Sequence, residues 1–260
     1  MKLLQPNEIS NFQENGHILL REVATKSEIE HFQPIISETV KKYSTESRPI
    51  AERDTYGKAF LQITNLWEVS EKIREFVFAK KFAQIAADLL GVKKVRLYHD
   101  QALFKEANGG FTPWHQDQFY WNLDTPKTIT MWLPLVDVSL EMGLMKFADK
   151  SHKQGLFDEI TISDKSDEIY SQIIEKYKFA VSMPIEMKAG DATFHYGHTI
   201  HCAEPNRSKN IREIMTIIYF ADGAKISKPI NNFQKSDHKR WLDSIPAGEL
   251  ANGKLNPILN

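Results

Sequence analysis

The hydrophobic rhythm of this 260-residue chain changes at Gly91, and that change constrains the fold more than any other feature. Before it, apolar residues recur at three- and four-residue spacing. After it they alternate, or run on over short stretches. Thr25 with Glu28 forms a capping box ahead of Ile29, Phe32, Ile36 and Val40, which predicts a helix that Pro34 kinks early. Ser44 to Tyr56 is polar and aperiodic, and reads as a surface loop. A second helical region is predicted from about Glu71 to Leu90, with Phe82, Ile85, Ala86 and Leu89 as its core stripe and Gly91 as its stop. Beyond Gly91, Val95 to His99 and Ala102 to Phe104 read as strand, and Asn108-Gly109-Gly110 as a turn. Thr128 to Val138 alternates, Gly190-Asp191 opens a further strand region, and Glu213 to Phe220 reads as the next. Phe157 to Tyr177 is a polar insertion with a short helical pattern. Helices followed by many strands, with no internal repeat, imply an α+β, mainly β domain centred on a barrel or sandwich.

Composition narrows the function classes. Hydrophobic residues make up 42% and charged residues 26%, enough to bury a sizeable core. The 33 basic and 34 acidic residues leave a net charge of −1 and no clustered basic patch, so nucleic acid and anionic membrane are not expected partners. Cys202 is the single cysteine, which excludes an intramolecular disulfide framework and a Cys-rich zinc site and favours a reducing compartment. Residues 1–11 carry no apolar targeting segment and no apolar run reaches membrane-span length, so a cytoplasmic location is expected. Asn206-Arg207-Ser208 matches a glycosylation acceptor, but without a secretory signal the match reads as chance. Oligomeric state is not legible.

The chemistry concentrates in His115-Gln116-Asp117. In an extended segment His115 and Asp117 share one face, so an imidazole nitrogen and a carboxylate oxygen converge. They are two legs of the two-histidine, one-carboxylate facial triad that leaves three metal positions open. Candidates for the third leg crowd one segment: His195, His198 and His201. On one continuous strand His195 and His201 would share a face, and periodicity does not choose between them. Arg212 opens a strand-like segment where a buried guanidinium can grip a carboxylate with two parallel hydrogen bonds. His99-Asp100 is not a metal pair, because adjacent strand side chains diverge. Phe119, Tyr120 and Trp121 read either as core or as the wall of a substrate pocket.

Four ordered segments resemble the phytanoyl-CoA dioxygenase family of Fe(II)/2-oxoglutarate oxygenases. They are Tyr98 to Lys105; Thr112 to Gln118; Trp132 with Met142-Gly143-Leu144 and Ser151-His152-Lys153; and Gly190-Asp191 through Phe194-His195, His201, Asn206-Arg207-Ser208 and Arg212. The chain departs from the pattern at Asp149-Lys150, where the family has Pro-Gly ahead of Ser-His. It also departs at Cys202, which reads as packing beside the metal without binding it.

The resemblance implies a double-stranded β-helix with helices packed on one side. The whole chain would form one domain, with a helical part at about 25–91, a barrel core at about 92–223 and a tail at 224–260. The family's distal ligand stands eleven residues ahead of its oxoglutarate arginine, which from Arg212 lands on His201. The implied site is then His115, Asp117 and His201 on Fe(II), with Arg212 on the far carboxylate of 2-oxoglutarate. Gln116, Trp132 and Lys105 are further oxoglutarate contacts by analogy, and His195 becomes a supporting histidine. The implied reaction consumes O2 and 2-oxoglutarate, releases succinate and CO2, and hydroxylates a small molecule. Halogenating relatives lack the carboxylate that Asp117 supplies, so halogenation is not expected. The alternatives are a non-catalytic β-barrel binding protein and a cupin-type metalloenzyme that does not use oxoglutarate. The insertion at 157–177 and the tail from Ser227 are candidate lids.

Overall fold

The computed structural model describes residues 4–157, 160–183 and 186–260. In chain order its helices are α1 (Pro6–Asn15), α2 (Lys26–Tyr43), α3 (Thr55–Ala59), α4 (Leu66–Val69), α5 (Glu71–Val77), α6 (Lys80–Leu90), α7 (Asp164–Tyr177) and α8 (Asn232–Trp241). The strands are β1 (His17–Leu20), β2 (Leu61–Thr64), β3 (Val95–Lys105), β4 (Thr112–His115), β5 (Thr128–Pro134), β6 (Met145–Ala148), β7 (Val181–Ser182), β8 (Ala192–Tyr196), β9 (His201–Ala203) and β10 (Arg212–Ala221). They form a six-stranded sheet, ordered β1-β8-β5-β10-β3-β2, and a four-stranded sheet, ordered β4-β9-β6-β7. The strand pairings among the described residues are all antiparallel. Trp132 and Ile214 of the large sheet pack against Met145, Phe147 and Ala203 of the small one. The result is a double-stranded β-helix.

Alternation along each strand divides the labour between the two faces of the large sheet. On β5, Ile129, Met131 and Leu133 join the main core, while Thr130 and Trp132 line a cavity inside the barrel. On β10, Met215, Ile217 and Tyr219 face that core, while Arg212, Thr216 and Ile218 line the cavity. The outward residues need a cover, and α6 supplies it by packing across β3, β5 and β10. Its Phe82, Ile85, Ala86 and Leu89 are all buried, as the stripe predicted. Each fully buried Leu, Ile or Phe contributes about 1.5–3 kcal/mol of transfer free energy. Gly91 ends α6 in the left-handed conformation, φ 65°, where glycine avoids the Cβ penalty.

Three helical expectations are refined. Pro34 lies inside α2 without ending it, and the buried Ile29, Ile36 and Val40 face holds the helix together across the missing N–H. The region from Glu71 to Leu90 is two helices, because Ala79 takes an extended conformation (ψ 112°) between them. The stretch read as loop from Ser44 to Tyr56 contains a 3-10 turn, Ile50–Glu52, and the start of α3. α3 is capped by the Asp54 carboxylate accepting from the Gly57 N–H. Elements this short leave no periodicity to read. In the insertion, α7 begins at Asp164 under a Ser163 cap, and residues 158–159 lie outside the described set. No helix among the described residues is long and apolar enough to cross a membrane.

Candidate metal centre

β4 ends at His115, Gln116 stays extended (φ −122°, ψ 127°), and Asp117 opens the 3-10 turn Asp117–Tyr120. The alternation expected of an extended tripeptide is therefore kept. His115 and Asp117 line the barrel cavity, and Gln116 does not. β4 pairs with β9 so that His115 and His201 are cross-strand partners, with ring centroids 4.1 Å apart. His115 Nε2 lies 3.5 Å and His201 Nε2 3.7 Å from the same Asp117 oxygen, Oδ1. One ligand atom from each of the three residues falls within 4.8 Å of the others.

The remaining nitrogens say which lone pairs point inward. His115 Nδ1 sits 2.7 Å from the carbonyl of Pro113, and His201 Nδ1 sits 2.9 Å from that of Thr199. A carbonyl only accepts, so each Nδ1 carries the proton and each Nε2 turns a free lone pair to the centre. Burial, together with the adjacent imidazoles of His115 and His195, holds His201 well below its ordinary range, so it is a neutral ligand. Burial alone would raise the Asp117 carboxyl, but His201, His115 and His195 around it keep it well below the usual carboxylate range. Two neutral imidazoles and one carboxylate, all accessible from one side, fit a divalent metal that keeps open positions.

His195 also reaches the centre, though it is not in line with His201 as one strand would have it. It sits on β8 of the large sheet, and the chain turns through Gly197 and His198 before β9 begins in the small one. Its Nε2 is 3.3 Å from Asp117 Oδ2, and its ring is 4.3 Å from that of His201. The Thr130 hydroxyl donates to the same Oδ2 at 3.0 Å.

Arg212 lines the same cavity, which has a volume of about 530 Å³. The side chain is 1% exposed, one guanidinium nitrogen donates to the carbonyl of Gly143, and Nε has no partner. Gly143 can offer that carbonyl because its φ is 79° and its Cα presses on the backbone of Glu204, where a Cβ would collide. The Trp132 ring lies 5.2 Å from the guanidinium carbon, a cation–π contact. No carboxylate pairs with Arg212 among the described residues. Burial lowers its pKa to about 9, the mark of a cation deprived of water. A buried cation with an unpartnered donor on a cavity wall fits an anionic ligand.

Two residues grouped with the oxoglutarate contacts lie elsewhere. The Gln116 amide donates to the carbonyls of Gly155 and His198 and accepts from the Phe157 N–H and the Tyr170 hydroxyl. It ties β4 to α7 and to the turn ahead of β9, on the far side of the strand from the cavity. Lys105 is fully buried and is the cross-strand partner of Arg212. Its Nζ donates to the carbonyls of Gly110 and Glu204, and burial and then Arg212 lower its pKa to about 6. Lys105 does not line the cavity.

Tyr120 and Trp121 do line the cavity, whereas Phe119 packs beside it against Phe233. His198 is half-buried and gives its carbonyl to Gln116. Cys202 lies along the cavity beside His201, outside the three-residue cluster, and burial raises its thiol. Lys150 takes the left-handed conformation (φ 67°) ahead of Ser151, the geometry a Pro-Gly turn would favour. The lining residues of α8, Phe233, Asp237, Arg240 and Trp241, were not singled out in the sequence. Their i, i+4, i+7, i+8 spacing was the available signal. His99 lies outside the metal cluster, as expected, and lines the cavity with Gln101 and Leu103, which share its inward parity on β3.

A two-sheet β-helix with an imidazole–carboxylate–imidazole cluster in its cavity defines a metal-binding jelly-roll protein. The chain belongs to the phytanoyl-CoA dioxygenase family, whose sequence profile matches residues 12–214. It is similar to a phytanoyl-CoA dioxygenase of Arabidopsis thaliana, with 27% identity over 165 residues, covering 63% of this chain and 58% of that protein. It is also similar to a phytanoyl-CoA dioxygenase domain-containing protein 1 homolog of Dictyostelium discoideum, with 26% identity over 185 residues, covering 69% and 62%. The matches span less than two thirds of the length of these curated relatives. Among solved structures, the fold is that of the non-heme alpha ketoglutarate dependent carbocyclase SnoK from nogalamycin biosynthesis. The TM-score is 0.80 at 22% identity, over 99% of this chain and 97% of that one. It is also that of EctD from S. alaskensis with 2-oxoglutarate and 5-hydroxyectoine, with a TM-score of 0.70 at 16% identity, over 97% and 86%.

Proposed function

We propose that this chain is an Fe(II)/2-oxoglutarate-dependent oxygenase that hydroxylates an unactivated carbon of a small molecule, with release of succinate and CO2. One observation carries the proposal: the His115–Asp117–His201 cluster shares its cavity with a buried Arg212 that has no carboxylate partner among the described residues. Family membership supports it, as do solved structures of that fold with iron or 2-oxoglutarate bound.

His115, Asp117 and His201 would hold the iron through Nε2, one carboxylate oxygen and Nε2, their orientation fixed by the Pro113 and Thr199 carbonyls. Fe(II) with 2-oxoglutarate and O2 would supply the oxidising power, which no side chain here can provide. Arg212 would pair the far carboxylate of the co-substrate, and the Trp132 ring would keep its guanidinium in the pocket. Gln116 is assigned a bracing role and Lys105 a supporting one beneath Arg212, neither as a direct oxoglutarate contact. The walls at Tyr120, Trp121 and Trp241 would confine the substrate and keep bulk water from the reacting carbon. Arg240 at the rim is the one cation besides Arg212 among the lining residues, which argues for a small molecule over a polyanion. The whole chain is read as one domain, acting in the cytoplasm, where Cys202 stays a thiol.

Fe(II)-dependent succinate formation tests the proposal, with a panel of candidate substrates screened for products heavier by one oxygen atom. Wild-type protein is expected to turn over 2-oxoglutarate slowly without substrate and faster with it, and Asp117→Ala to do neither. No succinate from folded, iron-loaded protein would refute the reading.

A further inference from the structure

We infer that His195, together with Thr130, is a positioning pair that holds Asp117 so that only one of its oxygens faces the metal. The inference rests on the metal-site reading above and concerns how the site keeps its open positions. A carboxylate has two oxygens, and one that swings to bind through both occupies a coordination position that a chelating co-substrate needs.

The geometry separates the two oxygens of Asp117. Oδ1 faces the free lone pairs of His115 and His201, at 3.5 and 3.7 Å. Oδ2 instead meets the Thr130 hydroxyl at 3.0 Å and His195 Nε2 at 3.3 Å. The two donors arrive together for a topological reason, since Thr130 and His195 are cross-strand partners in the β5–β8 ladder. Their side chains leave adjacent strands on the same face and close on one oxygen.

The protonation pattern agrees. His195 Nδ1 is buried with no hydrogen-bond partner, so nothing fixes a proton there, and Nε2 must carry it to donate to the carboxylate. This is the opposite tautomer from His115 and His201, whose Nδ1 atoms carry the proton. His195 is fully buried and packs at a tilt against Phe147, at 5.5 Å, and His201, at 4.3 Å. A phenyl ring would fill that slot equally well and leave no orphaned nitrogen. Packing alone therefore does not account for a histidine here, while the hydrogen bond to Asp117 does.

Two substitutions pull packing and donation apart. His195→Phe keeps a ring against Phe147 and His201 but removes the donor. His195→Gln loses the ring but places an N–H close to where Nε2 stood. The probe is Mn(II), titrated anaerobically and followed by loss of the free-ion electron paramagnetic resonance signal, with circular dichroism to establish folding. His195→Phe is expected to weaken Mn(II) binding about 10- to 100-fold, the range for lost second-sphere partners, and His195→Gln to restore most of it. The reverse order, with Phe like wild type and Gln defective, would assign His195 to packing and overturn the inference. If His195→Phe does not fold, Thr130→Val decides, because it removes only a hydroxyl at nearly constant shape. Several-fold weaker Mn(II) binding supports the inference, and affinity within twofold of wild type overturns it. His115→Ala separates this from the reading beneath it: if that variant binds Mn(II) as wild type does, the metal site itself is wrong.

Discussion

Replacing Arg212 with methionine keeps an unbranched stem of similar reach and removes a buried cation that awaits a partner. In the free protein its guanidinium has the Gly143 carbonyl, the Trp132 ring and an unpartnered Nε. An arriving carboxylate can take two parallel charge-assisted bonds, each worth about 1.5–3 kcal/mol. Removing one side of such a buried pair costs about 2–5 kcal/mol, so roughly 3 kcal/mol is a reasonable centre. At about 1.4 kcal/mol per decade, the Kd for 2-oxoglutarate should rise roughly a hundredfold. The contacts of Arg212 are to the Gly143 carbonyl and the Trp132 ring rather than to a member of the His-Asp-His cluster, so Mn(II) affinity should stay within about twofold of wild type. The apo variant should melt no lower than wild type, because a lone buried charge is itself a burden. Its melting temperature should no longer rise when 2-oxoglutarate is added. Calorimetric titration of 2-oxoglutarate into Mn(II)-loaded protein measures the first quantity, and thermal denaturation the last two. Equal loss of metal and oxoglutarate affinity would refute the reasoning, as would an oxoglutarate Kd within about threefold of wild type.

Two further outcomes follow from residues near the site. Lys105 has a folded pKa lowered to about 6 against 10.5 when free, so between those values the unfolded chain holds the extra proton and stability rises with pH. Urea denaturation between about pH 6.5 and pH 8.5 should show a wild-type gain, at most about 1.4 kcal/mol per unit, that Lys105→Met flattens; identical slopes would contradict the burial argument. Gln116→Ala removes a brace that bonds His198, Gly155, Phe157 and Tyr170, and should cost about 1–3 kcal/mol of stability by chemical denaturation. Its oxoglutarate affinity should stay within about threefold of wild type, and a loss like that of Arg212→Met would return Gln116 to the co-substrate.

Much of the fold was legible because its strands and longest helices carry strong periodicity. The stripe Phe82, Ile85, Ala86 and Leu89 marked α6, and the alternation from Thr128 marked β5 with its inward Trp132. The first two members of the His-Asp-His cluster were legible because His115 and Asp117 lie two residues apart in extended backbone, a purely local geometry. His201 was different. On periodicity it could not be told from His195, and only the count back from Arg212 chose it. The structure shows why periodicity failed: the turn at Gly197 and His198 puts the two histidines on different sheets, yet both reach Asp117. Contacts made across the barrel were hidden for the same reason. Thr130 on Asp117 and α8 over the cavity depend on which strands face each other, which no local spacing encodes. For Gln116, parity says which face the residue takes but not what waits there.

The most direct test of the central proposal is anaerobic addition of Fe(II) and 2-oxoglutarate to the purified protein, watching for the weak visible charge-transfer band of the iron–oxoglutarate chelate. The expected result is that band in wild type, absent in Asp117→Ala, and in Arg212→Met appearing only at far higher 2-oxoglutarate. Folded, iron-loaded wild-type protein that shows no band at saturating 2-oxoglutarate would contradict it.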